Sequence, residues 1–185
     1  MKTALLVIDV QKAFSYRDAT GGVRSCPQAE QNIGALLTAF RAQAGHVIHI
    51  HHHSTETDSA FRADHPGCAP QAFAAPIEAE VVVIKHVNSA FIGTTLEADL
   101  RAAGINRLVI CGATANHCVE TTTRMAGNLG FEVLYASDAV WAYEATGPDG
   151  VAHSAEQVHS MSLCNLDGEF ARVMNTVQIL DAVTP

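Results

Sequence analysis

The chain lacks a basic excess. Its 185 residues hold 11 Lys and Arg against 19 Asp and Glu, a formal net charge of −8 at pH 7. Nucleic acids and anionic membrane surfaces are bound through clustered cations, so neither is an expected partner. Long apolar runs are also missing. None approaches the roughly 20 residues needed to span a bilayer. No signal peptide is visible, because Met1-Lys2-Thr3 leads straight into the apolar Ala4–Ile8. Paired cysteines are absent as well. Cys26, Cys68, Cys111, Cys118 and Cys164 are odd in number, scattered, and free of any C-x-x-C spacing. That argues against a disulfide framework or a zinc finger, and a reducing cytoplasm is the expected compartment. No internal repeat, low-complexity tract or linker divides the sequence. One compact domain over residues 1–185 is therefore expected.

What is present is apolar and periodic. Hydrophobic residues make up 48% and charged residues only 16%, which suits a sheet buried on both faces. Strands are predicted at Thr3–Asp9, His46–His52, Glu80–Lys85, Arg107–Gly112 and Phe131–Ala136, with a sixth at Thr176–Leu180. Between them fall helical patterns. Ile33, Leu36, Leu37 and Phe40 mark one helix face, which Gly45 ends. Further helices are expected at Thr95–Ala103, Cys118–Leu129 and Ser154–Leu163. Alternating βα units with continuously apolar strands predict an α/β fold, a parallel sheet covered by helices on both faces. Ligands of such sheets bind beyond the carboxyl ends of the strands. Two segments, Ser15–Pro27 and Ser54–Pro76, read as long loops that wall the pocket.

Three chemically useful residues follow three different strands on that edge. Asp9 closes the first, Lys85 closes the third, and Cys118 lies where the fourth hands over to a helix. Each alone is ordinary, since an Asp or Lys at a strand end is usually a solvated charge. Together they form a set. A thiolate at a helix start is stabilised by free N–H groups and the helix dipole. Lys85 is expected to lower the Cys118 pKa further. Asp9 can take and return a proton. Cys118 is thus a candidate nucleophile.

The residues around these three carry a resemblance. Leu5-Leu6-Val7-Ile8-Asp9-Val10-Gln11-Lys12-Ala13-Phe14, Ile84-Lys85-His86-Val87-Asn88-Ser89-Ala90-Phe91 with Gly93-Thr94-Thr95-Leu96, and Gly112 to Arg124 together resemble the isochorismatase-like cysteine hydrolases over almost the whole chain. The resemblance implies a Rossmann-like, three-layer α/β/α arrangement with a six-stranded parallel sheet, and an Asp9–Lys85–Cys118 triad. It implies a cis Ala113–Thr114 bond that aims backbone N–H groups, including that of Cys118, at a substrate oxyanion. It further implies a small-molecule substrate and a homo-oligomer, dimer or tetramer, for which the apolar stretch after Gly130 and the C-terminal tail are candidate interfaces. The expected reaction is hydrolysis of a C–N bond in an amide, ureido compound or lactam through a Cys118 thioester. Isochorismatases that cleave vinyl ethers lack the nucleophilic cysteine, which argues against that reaction here.

Other positions are weighed more lightly. Phe14, His52, Phe91, Thr94, Asn116 and His117 are candidate substrate contacts, with packing a competing role for the phenylalanines and for Trp141. His117 is read as pocket lining rather than as a Cys–His dyad partner. Arg124 is expected to pair with a carboxylate such as Asp138. Nicotinamidases that resemble this chain carry an Asp-x-His metal pair after the second strand, where this sequence has His52 and Ser54. The pair is broken, so no metal or other cofactor is expected, although His49, His51, His52 and His53 form an unusual cluster. A metal-assisted nicotinamidase is one alternative, distinguished by metal rescue after chelation. A non-enzymatic redox-sensing or binding protein is another, distinguished by peroxide oxidation without amide turnover.

Overall fold

A computed structural model of the chain describes residues 1–183. Thr184 and Pro185, the last two positions of the expected domain, lie outside the described residues. The strands are β1 (Thr3–Ile8), β2 (His46–His52), β3 (Val81–Lys85), β4 (Arg107–Ala113), β5 (Glu132–Trp141), β6 (Ala145–Thr146), β7 (Ala152–His153) and β8 (Arg172–Met174). The helices are α1 (Lys12–Ala19), α2 (Ala29–Ala42), α3 (Leu96–Ala102), α4 (Glu120–Asn128), α5 (Ala155–Leu166) and α6 (Thr176–Val183). Strands β6 and β7 form a small hairpin, and the other strands form a six-stranded sheet in the order β3-β2-β1-β4-β5-β8. Its pairings are parallel throughout.

The apolar content of the central strands explains their position. β1 is buried from Ala4 to Ile8, with alternate side chains feeding two separate cores. Leu6 and Ile8 meet Ile50, Leu96, Leu100, Ile110 and Val119 on the α3 and α4 side. Leu5 and Val7 meet Ile33, Leu36, Leu37 and Ile179 on the α2 and α6 side. The result is the expected three-layer sandwich. Among the described residues, no helix is long and apolar enough to cross a membrane.

The sheet order places the candidate residues. Strands β2 and β3 lie on one side of β1, while β4, β5 and β8 lie on the other. The winding reverses between β1 and β4, so a crevice opens beyond their carboxyl ends. Asp9 follows β1, and Cys118 follows β4.

Three expectations are corrected. Thr176–Leu180 is not a strand but lies in α6, and the sixth strand is Arg172–Met174. Asn175 begins this helix with a reciprocal cap. Its Oδ1 accepts from Gln178 N at 2.9 Å, and its own N–H donates to Gln178 Oε1 at 3.0 Å. The start of Ser15–Pro27 is not loop, since Ser15–Ala19 belongs to α1, which has little apolar periodicity to betray it. The helix expected from Cys118 starts earlier, because a wide helical turn over Ala115–Val119 carries Cys118 directly into α4 at Glu120.

Candidate active site

The site starts from a backbone turn. β1 stops at Ile8, and Asp9 adopts a positive φ of 52°. Few non-glycine residues do this, and Asp tolerates it better than most. The turn keeps Asp9 almost fully buried, at 2% exposure, with its N–H donating to Ile50 O at 2.8 Å. Lys85, the last residue of β3, is completely buried. An ammonium in that position must be paired. Lys85 Nζ donates to Asp9 Oδ2 at 2.8 Å, to Cys118 Sγ at 3.2 Å and, at 3.3 Å, meets His52 Nδ1. One cation therefore touches the carboxylate and the thiol. Asp9 Oδ1, buried beside them, has no hydrogen-bond partner among the described residues.

Cys118 rides on the turn that follows β4. Val119 N donates to Thr114 O at 3.3 Å, and His117 N donates to the same oxygen at 3.1 Å. The Ala113–Thr114 bond is cis. Gly112, at φ +121°, lets β4 pass close to β1 just before this turn.

The electrostatics differ from the expected activated thiolate. Burial, then the Asp9 carboxylate, pushes the Cys118 thiol up to about 12, with Lys85 pulling the other way. Burial also raises Asp9, opposed by the Lys85 charge and hydrogen bond. The physical reason is sharing. The one Lys85 ammonium faces both Asp9 Oδ2 and Cys118 Sγ, and the Asp9 charge works against a thiolate. Cys118 therefore favours its thiol form, and Asp9 and Cys118 titrate as a coupled pair.

Around this centre the other candidates separate. His52 is in contact with Lys85, as above. Phe14 packs edge-on against Phe61, with centroids at 5.1 Å, and Phe61 packs edge-on against His52 at 5.7 Å. An aromatic wall thus joins α1 to the Lys85 cluster. Trp141 stands edge-on to Phe14 at 5.7 Å. Phe91 instead stacks on Phe131 at 6.0 Å, against the core. The Thr94 hydroxyl donates to Ala90 O at 2.6 Å and accepts from Leu96 N at 3.3 Å, a local turn at the start of α3. Asn116 opens onto a groove bordered by α5, with Glu120, Gln157 and Met161. His117 is exposed, and its Nδ1 pairs with Thr114 Oγ1 at 2.9 Å.

The histidine cluster is divided among different tasks. His49 Nε2 lies 2.9 Å from Glu80 Oε2, and Glu80 is also held by Arg41. His51 faces the His49 ring, while His53 faces His86. Among the described residues, no group of three or more His, Cys, Asp or Glu side chains is placed to hold a metal ion. Arg124 pairs with Glu120 at 2.7 Å rather than with Asp138. Asp138 is occupied by Thr176, accepting from its N–H and its hydroxyl at 2.7 Å each.

Two contributors escaped the sequence reading. Gln11 is fully buried. Its Nε2 donates to His52 O at 3.0 Å and Cys68 O at 2.7 Å, while its Oε1 accepts from His52 N at 2.9 Å. It locks the end of β2 to the end of β1. Its place two residues after Asp9 was the available signal. Phe61 gave none, because it sits in an aperiodic loop.

The family model described as the isochorismatase domain matches residues 3–178. The isochorismatase family protein YrdC of Bacillus subtilis is 41% identical over 180 residues, covering 97% of this chain and 95% of that protein. A crystal structure of an isochorismatase-family protein from Chromobacterium violaceum superposes with a TM-score of 0.94 at 47% identity, covering 98% of this chain and 93% of that one. The N-carbamoylsarcosine amidase of an Arthrobacter species is 33% identical over 112 residues, 59% of this chain and 38% of that protein.

Proposed function

Because the chain belongs to the isochorismatase family of hydrolases, we propose that it hydrolyses a C–N bond of a small amide, ureido compound or lactam through a thioester on Cys118. The observation that carries this reading is the single buried Lys85 ammonium in contact with both Asp9 and Cys118. The likeness to an amidase supports a C–N bond as the target.

The steps follow from the resting protonation. As Sγ attacks the carbonyl carbon, Asp9 accepts the thiol proton, so no free thiolate has to be maintained in a buried site. The oxyanion that forms is held by backbone N–H groups of the turn between Thr114 and Cys118. Collapse breaks the C–N bond, and the Asp9 carboxylic acid delivers its proton to the departing nitrogen. A thioester and a free amine result. Water then adds to the thioester carbonyl as Asp9 takes a proton from it. The C–S bond breaks, the leaving thiolate is stabilised by Lys85, and the Asp9 proton returns to sulfur. The acid product leaves, and the starting protonation state is restored.

The test is a panel of amides, ureido acids and lactams assayed for amine or ammonia release with native enzyme and Cys118→Ala. Turnover is expected with the native protein and not with the variant, along with a covalent acyl adduct on Cys118 by mass spectrometry. Full activity in Cys118→Ala on a substrate that the native enzyme turns over would refute the reading.

A further inference from the structure

The geometry points to His52 as a positioning residue that holds the Lys85 ammonium in place through Nδ1. This rests on the proposed nucleophilic role of Cys118, and it assigns His52 work on the protein's own machinery rather than on substrate.

An ammonium group has three N–H donors and no acceptor. Lys85 Nζ has three neighbours within hydrogen-bond reach: Asp9 Oδ2 at 2.8 Å, Cys118 Sγ at 3.2 Å and His52 Nδ1 at 3.3 Å. Each donor has one acceptor, and the side chain is completely buried. Since Lys85 can only donate, His52 Nδ1 must accept. The ring is then neutral and carries its proton on Nε2. Burial, followed by the charges of Lys85, His86 and His53, pushes the His52 pKa down to about 4. The ring thus has the required form near neutrality.

His52 is itself held from three directions. Gln11 bonds both its backbone N–H and its carbonyl oxygen. Phe61 packs edge-on against its ring. β2 and β3 pair His52 directly with Lys85. A side chain clamped in this way is suited to fixing the rotamer of its neighbour. Without its acceptor, one Lys85 N–H would be left unpaired in a buried site. The ammonium would then turn toward another partner, and its contact with Cys118 would lengthen.

The experiment needs no substrate. Native protein, His52→Leu, His52→Asn and His52→Gln are treated with iodoacetamide near pH 7, and alkylation of Cys118 is timed by mass spectrometry. The exposed Cys164 serves as the internal reference, and far-UV circular dichroism checks folding. Asn places an oxygen near the Nδ1 position, whereas Gln reaches toward Nε2. His52→Leu and His52→Gln are expected to slow Cys118 alkylation roughly tenfold, the size of one charge-assisted hydrogen bond. His52→Asn is expected to recover most of that loss. A native rate in a folded His52→Leu would overturn the inference while leaving the Cys118 reading intact. So would a reversed order, with Gln recovering and Asn slow. A native Cys118 that stays unmodified while Cys164 reacts would overturn the proposed function and this inference together.

Discussion

Gly112 and Ile8 stand so close that a Cβ added to Gly112 would fall 2.7 Å from the Ile8 nitrogen and 2.8 Å from its carbonyl carbon. The two residues are register partners on β4 and β1, one step before the site begins. Gly112 also has φ +121°, a conformation that L side chains rarely adopt. Gly112→Ala is expected to cost about 3 kcal/mol or more through overlap and strain. The urea midpoint should fall, and Cys118 alkylation should slow because both strand ends would move. A midpoint equal to native would show that the strands separate freely here.

Asp9→Asn should separate reactivity from turnover. Asp9 raises the Cys118 pKa through its charge. With the carboxylate gone, Lys85 is left to favour the thiolate. Alkylation near pH 7 is expected to accelerate by about tenfold for each unit the pKa falls. Hydrolysis of any substrate should nevertheless collapse, since no group remains to protonate the leaving nitrogen. Slower alkylation in this variant would contradict the proposed sharing of charge.

Alkylation of the native protein should show no thiol titration at about pH 8.5, because burial and the Asp9 carboxylate push the Cys118 thiol up to about 12. An ordinary thiol would react faster as pH rises toward its pKa. A rate–pH profile with a simple thiol titration near 8.5, the unperturbed value, would argue against coupling.

Acid sensitivity should begin above the carboxylate range. Burial, then the charges of His49 and His53, lowers the His51 pKa from 6.5 to about 4. The unfolded chain therefore binds a proton at His51 more readily than the native protein does. Stability at this position is fully present above about pH 6.5 and is lost as pH falls toward 4. Urea midpoints should decline across that window, and His51→Gln should flatten the decline. An unchanged slope in the variant would assign the loss to other groups.

Removing the Gln11 clamp should weaken both the fold and the site. Gln11→Ala leaves the His52 N–H and the His52 and Cys68 carbonyls without their side-chain partner. The expected cost is about 2–4 kcal/mol, read as a lower thermal midpoint, with slower Cys118 alkylation in the fraction that remains folded.

Much of this was legible before folding. The continuous apolar strands, the helix face at Ile33, Leu36, Leu37 and Phe40, and the strand-end positions of Asp9 and Lys85 follow from local pattern, because periodicity reflects which side chains must leave water. Position along the chain brought Cys118 to the same edge of the sheet. Local pattern failed where long-range partners decide. The apolar Thr176–Leu180 reads equally well as a strand or as a helix. Tertiary packing of Ile179 against α2 and β5, with Asp138 at its start, makes it a helix. The sequence also determined which charges the site contains, but not how they share. Only the fold buries Cys118 beside the Asp9 carboxyl group with one ammonium touching both, and that burial pushes the thiol pKa up. Distances of a few ångströms between residues far apart in sequence set those energies, and burial multiplies them, so neither can be read from order along the chain.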